Sequence, residues 1–259
     1  MWLSNILLKP FYSFMLMGLP TVTYTPINQK SIFHVPVTIE DTSTYINYKI
    51  PKEYFSKIDK YIKKYTNDLS LIPTRLSDDE IDYFISINIY NCTSPIFNSI
   101  TSEPVTRCEI NTYVVNSKGE EGTLIMDYTS NFLSLDPVNI FKTREKCEFK
   151  RKKENYILNA KNKNFKLNSI FSRKDKGDMA KSLNKKLIAH TDNIFYVNGI
   201  YDKIYYDSSL IKSSVRFPSE IKEINFEFLD IKFNNPHSIF YFEDKLQFVG
   251  AIWANLYDI

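Results

Sequence analysis

Period-two alternation recurs from Thr21 to the C-terminal strands, and it constrains this chain more than any other feature. TVTYT, SIFHVPVTI and STYINYKI come first, separated by Pro26 and an acidic turn at Glu40-Asp41. DYFISINIY, VTRCEINTYVV and TLIMDY occupy the middle, and NIFYVNGIYDKIYY, EINFEFLDIKF and HSIFYFEDKLQFVGAIWANLYDI close the sequence. Such segments read as strands, because successive side chains point to opposite faces of a sheet. The three middle strands pair as an antiparallel set, with NSKGEEG as a hairpin connection longer than the tightest type. Six glycines against eighteen tyrosines and nineteen phenylalanines suit packed sheets better than a glycine-rich phosphate-binding scaffold. No repeat and no convincing linker interrupts the 259 residues. The expected architecture is one α+β domain over residues 1–259, mainly antiparallel, with a strongly curved or closed β-barrel and a few peripheral helices.

Helical spacing is clearest in PKEYFSKIDKYIKKY, where Tyr54, Phe55, Ile58, Tyr61, Ile62 and Tyr65 recur with lysines between them. Pro51 opens the segment, and its aromatic stripe reads as a core-facing surface. Ser77 and Glu80 fit a capping box on a short helical turn. Residues 1–20 are apolar but broken by Lys9-Pro10, so neither half is long enough to span a bilayer. With only Lys9 basic and Leu19-Pro20 after the run, the stretch reads as a buried or partner-covered helix and not as a signal peptide. A membrane-surface anchor led by Trp2 and Phe11 is the alternative.

The net charge of +3 hides a polarised chain. Residues 142–186 hold sixteen Lys or Arg against five Asp or Glu, a local +11 that leaves the remainder near −8. Strands persist there around Phe149 and Tyr156 to Leu158, and DKGDMAKSLNKKLIA reads as helical, so the basic segment belongs to the domain. Phe149, Tyr156 and Phe165, interleaved with lysines, suit nucleic acid through stacking and phosphate contacts; a solvated basic face is the plainer reading. The same polarity suits head-to-tail homo-oligomers, as in an assembly component of a virus particle.

Several chemistries lack their signatures. Cys92, Cys108 and Cys147 are odd in number without CxxC spacing, so neither a disulfide framework nor a thiolate metal site is expected, and a reducing, cytoplasmic compartment is. Asn91-Cys92-Thr93 matches a glycosylation sequon too short to carry weight. His34, His190 and His237 stand apart with no HExxH pairing. GxGxxG, Walker-type and GxSxG patterns are absent from the sequence, so no metal and no cofactor are expected.

The stretch from Thr106 to Val115 is the candidate site. Alternation sets Arg107, Glu109, Asn111 and Tyr113 on one face and Cys108, Ile110, Thr112 and Val114 on the other. Facing inward, Arg107 and Glu109 form a buried pair whose guanidinium fork suits a carboxylate, flanked by an amide and a phenol. Facing outward, the row is the wet side of a sheet.

EINTYV, its hairpin and TLIMDYTSN resemble the acetoacetate decarboxylase-like superfamily, including relatives of the DUF2071 type. The likeness covers Pro104 to Asn131 and extends more loosely from Leu19 through the C-terminal strands. Against the decarboxylase pattern REISAYPKK, Glu109, Ile110 and Tyr113 match the glutamate, isoleucine and tyrosine, while Val114 falls on the proline and Val115 on the first lysine. The resemblance implies a cone-shaped antiparallel sheet around an apolar cavity that binds small β-keto acids. It also implies a lysine that forms a Schiff base with the substrate ketone, and Val115 stands at that place. Lys118, three residues on, is a poor substitute, because a turn lysine is solvated and keeps an ordinary pKa. Against the NVRTYV pattern of the second branch the arginine falls on Asn111, and Arg107, earlier on the same face, would supply the cation instead.

The function expected from this resemblance is binding of a small organic acid or another apolar-bodied ligand, with altered lyase-type chemistry or none. Arg107 would anchor the anion, Glu109 would orient it or act as acid or base, and Asn111 and Tyr113 would donate hydrogen bonds. Without an amine no iminium forms to accept electrons as carbon dioxide leaves, so whether the protein is an enzyme stays open. The alternative is a non-catalytic binding or assembly protein whose segment 142–186 contacts nucleic acid, a membrane surface or an acidic protein face.

Overall fold

The computed structural model describes residues 33–64, 68–77, 80–93, 105–131, 146–174, 194–197, 200–206, 216–242 and 246–252. The expected N-terminal helix at 1–20, the TVTYT strand and the helix in DKGDMAKSLNKKLIA lie outside the described residues. Among the described residues no helix is long and apolar enough to cross a membrane. Within them the fold is α+β and mainly antiparallel, as expected.

The large sheet is organised by β1 (Phe33–Lys49), which pairs along one edge with β5 (Phe84–Thr93). Its other edge takes β16 (Leu246–Ile252) and then β15 (Ser238–Phe242) in succession. SIFHVPVTI and STYINYKI are therefore one strand, and the expected turn at Glu40-Asp41 is corrected to a register irregularity between Ile39 and Ser43. Pairing on both edges of β1 on either side of the acidic pair holds the chain extended there. β6 (Val105–Val115) pairs with β5 and with β7 (Glu121–Ser130), as alternation predicted. The β6–β7 connection turns on Gly119, whose φ of 80° lies in the left-handed region that glycine tolerates. β11 (Ile194–Val197) lies parallel to β7 and antiparallel to β12 (Ile200–Tyr206), which in turn pairs with β16. β2 (Ser70–Leu71) pairs with the end of β6.

Ser77 and Glu80 do not cap a helix. They face each other across a small hairpin of β3 (Thr74–Ser77) and β4 (Glu80–Asp82), a correction in which strand pairing overrides a local capping signature.

A second sheet has the order β14-β13-β10-β9-β8, from β8 (Cys147–Lys152), β9 (Asn155–Lys161), β10 (Phe165–Ser172), β13 (Ile221–Phe228) and β14 (Ile231–Phe233). It holds the described part of the basic segment. Alternation buries Phe149, Tyr156, Leu158, Phe165 and Leu167, while Lys150, Lys161 and Lys166 are exposed. Phe149 at 6 %, Tyr156 at 3 % and Phe165 at 3 % exposure are core residues, which corrects the expectation that they could stack on nucleic-acid bases.

One core joins the two sheets and the helix α1 (Phe55–Lys63). The large sheet gives Ile46, Tyr48, Ile85, Ile87, Ile89, Cys108 and Ile110 to it. The second sheet answers with Phe226, Phe228, Phe233 and the inward residues of β8 to β10, and Tyr48 stacks on Phe226 at 5.3 Å. The helix buries Ile58 and Ile62 completely, while Phe55 and Tyr61 pack against the core only in part.

At the centre of this packing, β7 carries a bulge. Ile110 faces Asp127 and Asn111 faces Ile125, so Met126 is the extra residue. The bulge turns Asp127 to the core side of the sheet. There its carboxyl accepts Asn162 Nδ2 at 2.9 Å, Asn164 Nδ2 at 2.5 Å and Tyr61 Oη at 3.4 Å. Asn162 in turn accepts the backbone N–H groups of Asn164 and Phe165, at 2.8 Å and 2.9 Å, which sets the turn between β9 and β10.

Asp127→Ala removes a buried acceptor shared by two half-buried amides and should cost about 1 to 3 kcal/mol in urea unfolding, the scale for losing charge-assisted hydrogen bonds. Asp59→Ala removes an exposed helix pair with Lys63 and should change stability by less than about 0.5 kcal/mol. Equal effects of the two substitutions would contradict the role given to Asp127.

Candidate functional site

Both faces of β6 are buried, so the choice between an inward polar row and a wet outer one is settled against water. Cys108, Ile110 and Val114 join the core between the sheets. On the opposite face Glu109 is 6 % exposed, Asn111 1 % and Arg107 16 %, with Tyr113 half-buried. The structure thus brings the four sequence-predicted residues onto one covered face.

Strand register adds neighbours from three more strands. Arg107 lies between Tyr90 and Ser130, Glu109 between Asn88 and Tyr128, and Asn111 between Ser86 and Ile125. Beyond β5, Ser43, Tyr45 and Asn47 of β1 continue the same rows, and Phe240 follows Tyr45. Ser43, Asn47, Ser86, Asn88 and Ser130 are all buried. The result is a polar band several strands wide, edged by the stacked Tyr45–Phe240 pair at 5.0 Å and by Phe84.

Sequence reasoning isolated only the β6 row of this band. Its extension was signalled by polar residues at every second position of STYINYK and of FISINIY, which the pairing of β1 and β5 brings into line. Lys49, half-buried, shares this face by alternation from Asn47 and was not singled out either.

The charged pair is tightly held. Arg107 Nε donates to Glu109 Oε1 at 2.5 Å, and the guanidinium lies over the Tyr128 ring, 4.3 Å from its centroid. Tyr90 Oη donates to the same Glu109 oxygen at 2.9 Å. Ser43 Oγ donates to Asn88 Oδ1 at 3.0 Å, and Asn88 Nδ2 to Tyr45 Oη at 3.2 Å. Burial pushes the Tyr113 phenol well above its ordinary pKa, against a smaller lowering by Ser86, so it stays protonated at neutral pH.

Asn111 is different. Neither its Nδ2 nor its Oδ1 has a hydrogen-bond partner among the described residues. Asn47 donates to Ser238 at 3.0 Å, but its Oδ1 is also unpartnered among them. Buried amides are almost always bonded, so these two, separated only by Ser86, are exceptions that fall together on this face.

Val115 is half-buried at the end of β6 opposite Ser70, and Lys118 is exposed in the turn, so neither places an amine among these rows. Among the described residues no group of His, Cys, Asp and Glu is placed to hold a metal ion.

No protein-family model matches the sequence, and no curated protein matches it. Solved structures do match in fold. An acetoacetate decarboxylase from Legionella pneumophila superimposes with a TM-score of 0.52 at 10% identity, over 92% of this chain and 94% of that one. A second acetoacetate decarboxylase structure aligns over 92% and 93% of the two chains at 10% identity, with a TM-score of 0.46. The chain therefore has an acetoacetate decarboxylase-like fold, in line with the resemblance of EINTYV and its hairpin.

Arg107→Ala leaves a buried carboxylate without its cation and should cost about 3 kcal/mol in denaturant unfolding, the scale for breaking a buried pair. Arg107→Met with Glu109→Leu removes both charges and should recover most of that loss. A double variant less stable than the single would show that the two side chains do not act as a pair.

Proposed function

We propose that the protein binds a small organic acid on the buried polar face of its large sheet, with altered lyase-type chemistry or none. The observation that carries this reading is the orphaned carboxamide of Asn111, since a buried amide left unbonded costs about 1 to 3 kcal/mol per group unless a guest satisfies it. In this reading the large sheet closes into a strongly curved cone. Support comes from pairings that run from β1 through β5, β6, β7, β11, β12 and β16 and return to β1. The polar band then faces the inside of the cone, with Phe84, Tyr45 and Phe240 as its apolar wall.

Arg107 anchors the carboxylate of the guest, and Glu109 holds the guanidinium in place and exchanges protons with the guest. Asn111 and Tyr113 donate hydrogen bonds to it. An organic acid is the ligand class because the fold is that of acetoacetate decarboxylase structures. Val115 supplies no amine, so the reading excludes Schiff-base decarboxylation through that position. We take residues 1–259 as one domain and the compartment as cytoplasmic, to which the buried thiols of Cys108 and Cys147, outside any disulfide, are suited. Exposed Lys150, Lys161 and Lys166 support the alternative, a scaffold whose segment 142–186 meets an anionic partner, without base stacking.

Thermal-shift screening against small carboxylic and β-keto acids, acetoacetate among them, tests the first reading. The wild-type chain should be stabilised by at least one acid, and the shift should vanish in Arg107→Ala and in Asn111→Leu. Shifts of equal size in both variants would remove the ligand from this face. Borohydride reduction with acetoacetate present should trap no adduct; an adduct on Lys49 would replace altered chemistry with an amine mechanism.

A further inference from the structure

A cleft of about 290 Å³ lies on the far side of the Asp127 network, between α1 and the turns that join β9 to β10 and β13 to β14. Lys57, Lys60 and Lys64 line it from one face of the helix, at spacings of three and four residues. Lys163 enters from the β9–β10 turn. All four are exposed, and Asp230 is the one carboxylate on the wall among the described residues.

Ammonium groups so arranged repel one another. The helix dipole adds to this at Lys57, since the first turn of α1 holds no acidic residue and favours negative charge. Among the described residues no ion pair engages Lys57, Lys60 or Lys163, whereas Lys63, on another side of the helix, is paired with Asp59. A helix that pairs Lys63 with an acid and turns Lys57 and Lys60 to a hollow suits an occupant that brings its own negative charge.

The floor is already fixed. Tyr61 and Asn164 both reach Asp127, and the Asn164 carbonyl accepts the Leu229 N–H at 2.8 Å, which ties the two turns together. Leu229 and Asp230 form the two-residue turn between β13 and β14 with φ of 53° and 60°, values that glycine or asparagine would adopt more readily. Leu229 and the Tyr61 ring give the cleft an apolar patch beside its lysines. Its volume suits a small molecule and not a duplex.

We propose that this cleft binds a small phosphate-bearing anion, with the phosphate oxygens on Lys57, Lys60, Lys64 and Lys163 and the organic body against Leu229 and Tyr61. Lysines serve phosphate as mobile point charges, which fits donors carried on two separate segments, the helix and the β9–β10 turn. The site is separate from the polar face of β6 and does not depend on what that face binds.

The test uses the full chain and inorganic pyrophosphate, titrated calorimetrically at physiological salt. Saturable one-to-one binding is expected, weakened about tenfold or more by Lys60→Gln with Lys163→Gln and unchanged by Lys166→Gln with Lys232→Gln. These lysines are exposed, so matching melting temperatures should confirm that each variant is folded. Vesicles containing a phosphoinositide then separate the sources of phosphate. Binding that pyrophosphate displaces assigns a lipid headgroup, and its absence assigns a soluble ester. No saturable pyrophosphate binding, equal binding by the cleft variant, or retention of a single-stranded oligonucleotide that pyrophosphate cannot displace would overturn the proposal.

Discussion

The carboxylate of Asp127 is the point at which the large sheet, the second sheet and the helix are fixed to one another. Hydrophobic packing between the layers is extensive but has no direction of its own, and it tolerates sliding. Three hydrogen bonds from side chains on the helix and on the β9–β10 turn do not. The bulge at Met126 makes this possible and has a second effect. By reversing alternation for the rest of β7, it sends Asp127 toward the second sheet and Tyr128 toward Arg107. One inserted residue thus supplies both the clamp between layers and the ring beneath the guanidinium.

Much of the fold was legible because alternation is a strong signal wherever one face is apolar. DYFISINIY, VTRCEINTYVV and TLIMDY pair as read, and the NSKGEEG connection turns where glycine allows it. The failures are local signatures that long-range pairing overrides. Ser77 and Glu80 look like a capping box, yet strand pairing brings the same two residues opposite each other. Glu40-Asp41 looks like a turn, yet partners on both edges keep β1 running through it. The facing of the β6 row was undecidable from β6 alone, since a strand buried on both sides offers no contrast between wet and dry faces. Only the coincidence of polar positions in β1, β5 and β6 distinguishes a covered polar face from a surface, and that coincidence depends on register.

Charge follows the same geometry. The basic segment is no loose appendage: its apolar alternates are core residues and its lysines form the outer side of β8 to β10. On that outer side Glu148 and Glu223 are bonded to Lys150 and to Asn168 and Asn225, so carboxylates and amides break the run of positive charge. Around α1, among the described residues, Asp59 pairs with Lys63 and Asp230 is the carboxylate on the cleft wall. Among the described residues the cleft lysines thus come both from the helix and, through Lys163, from the basic segment itself.

The placement of β1 also governs when the protein can become a protein. Phe33 pairs with Ile252, and Asn47 with Ser238, so one edge of β1 waits for partners made about two hundred residues later. Until those residues emerge from the ribosome, a seventeen-residue strand has an open hydrogen-bonding edge, of the kind that recruits other chains. The yield of folded protein therefore depends on how long that edge stays open as well as on the stability of the finished fold.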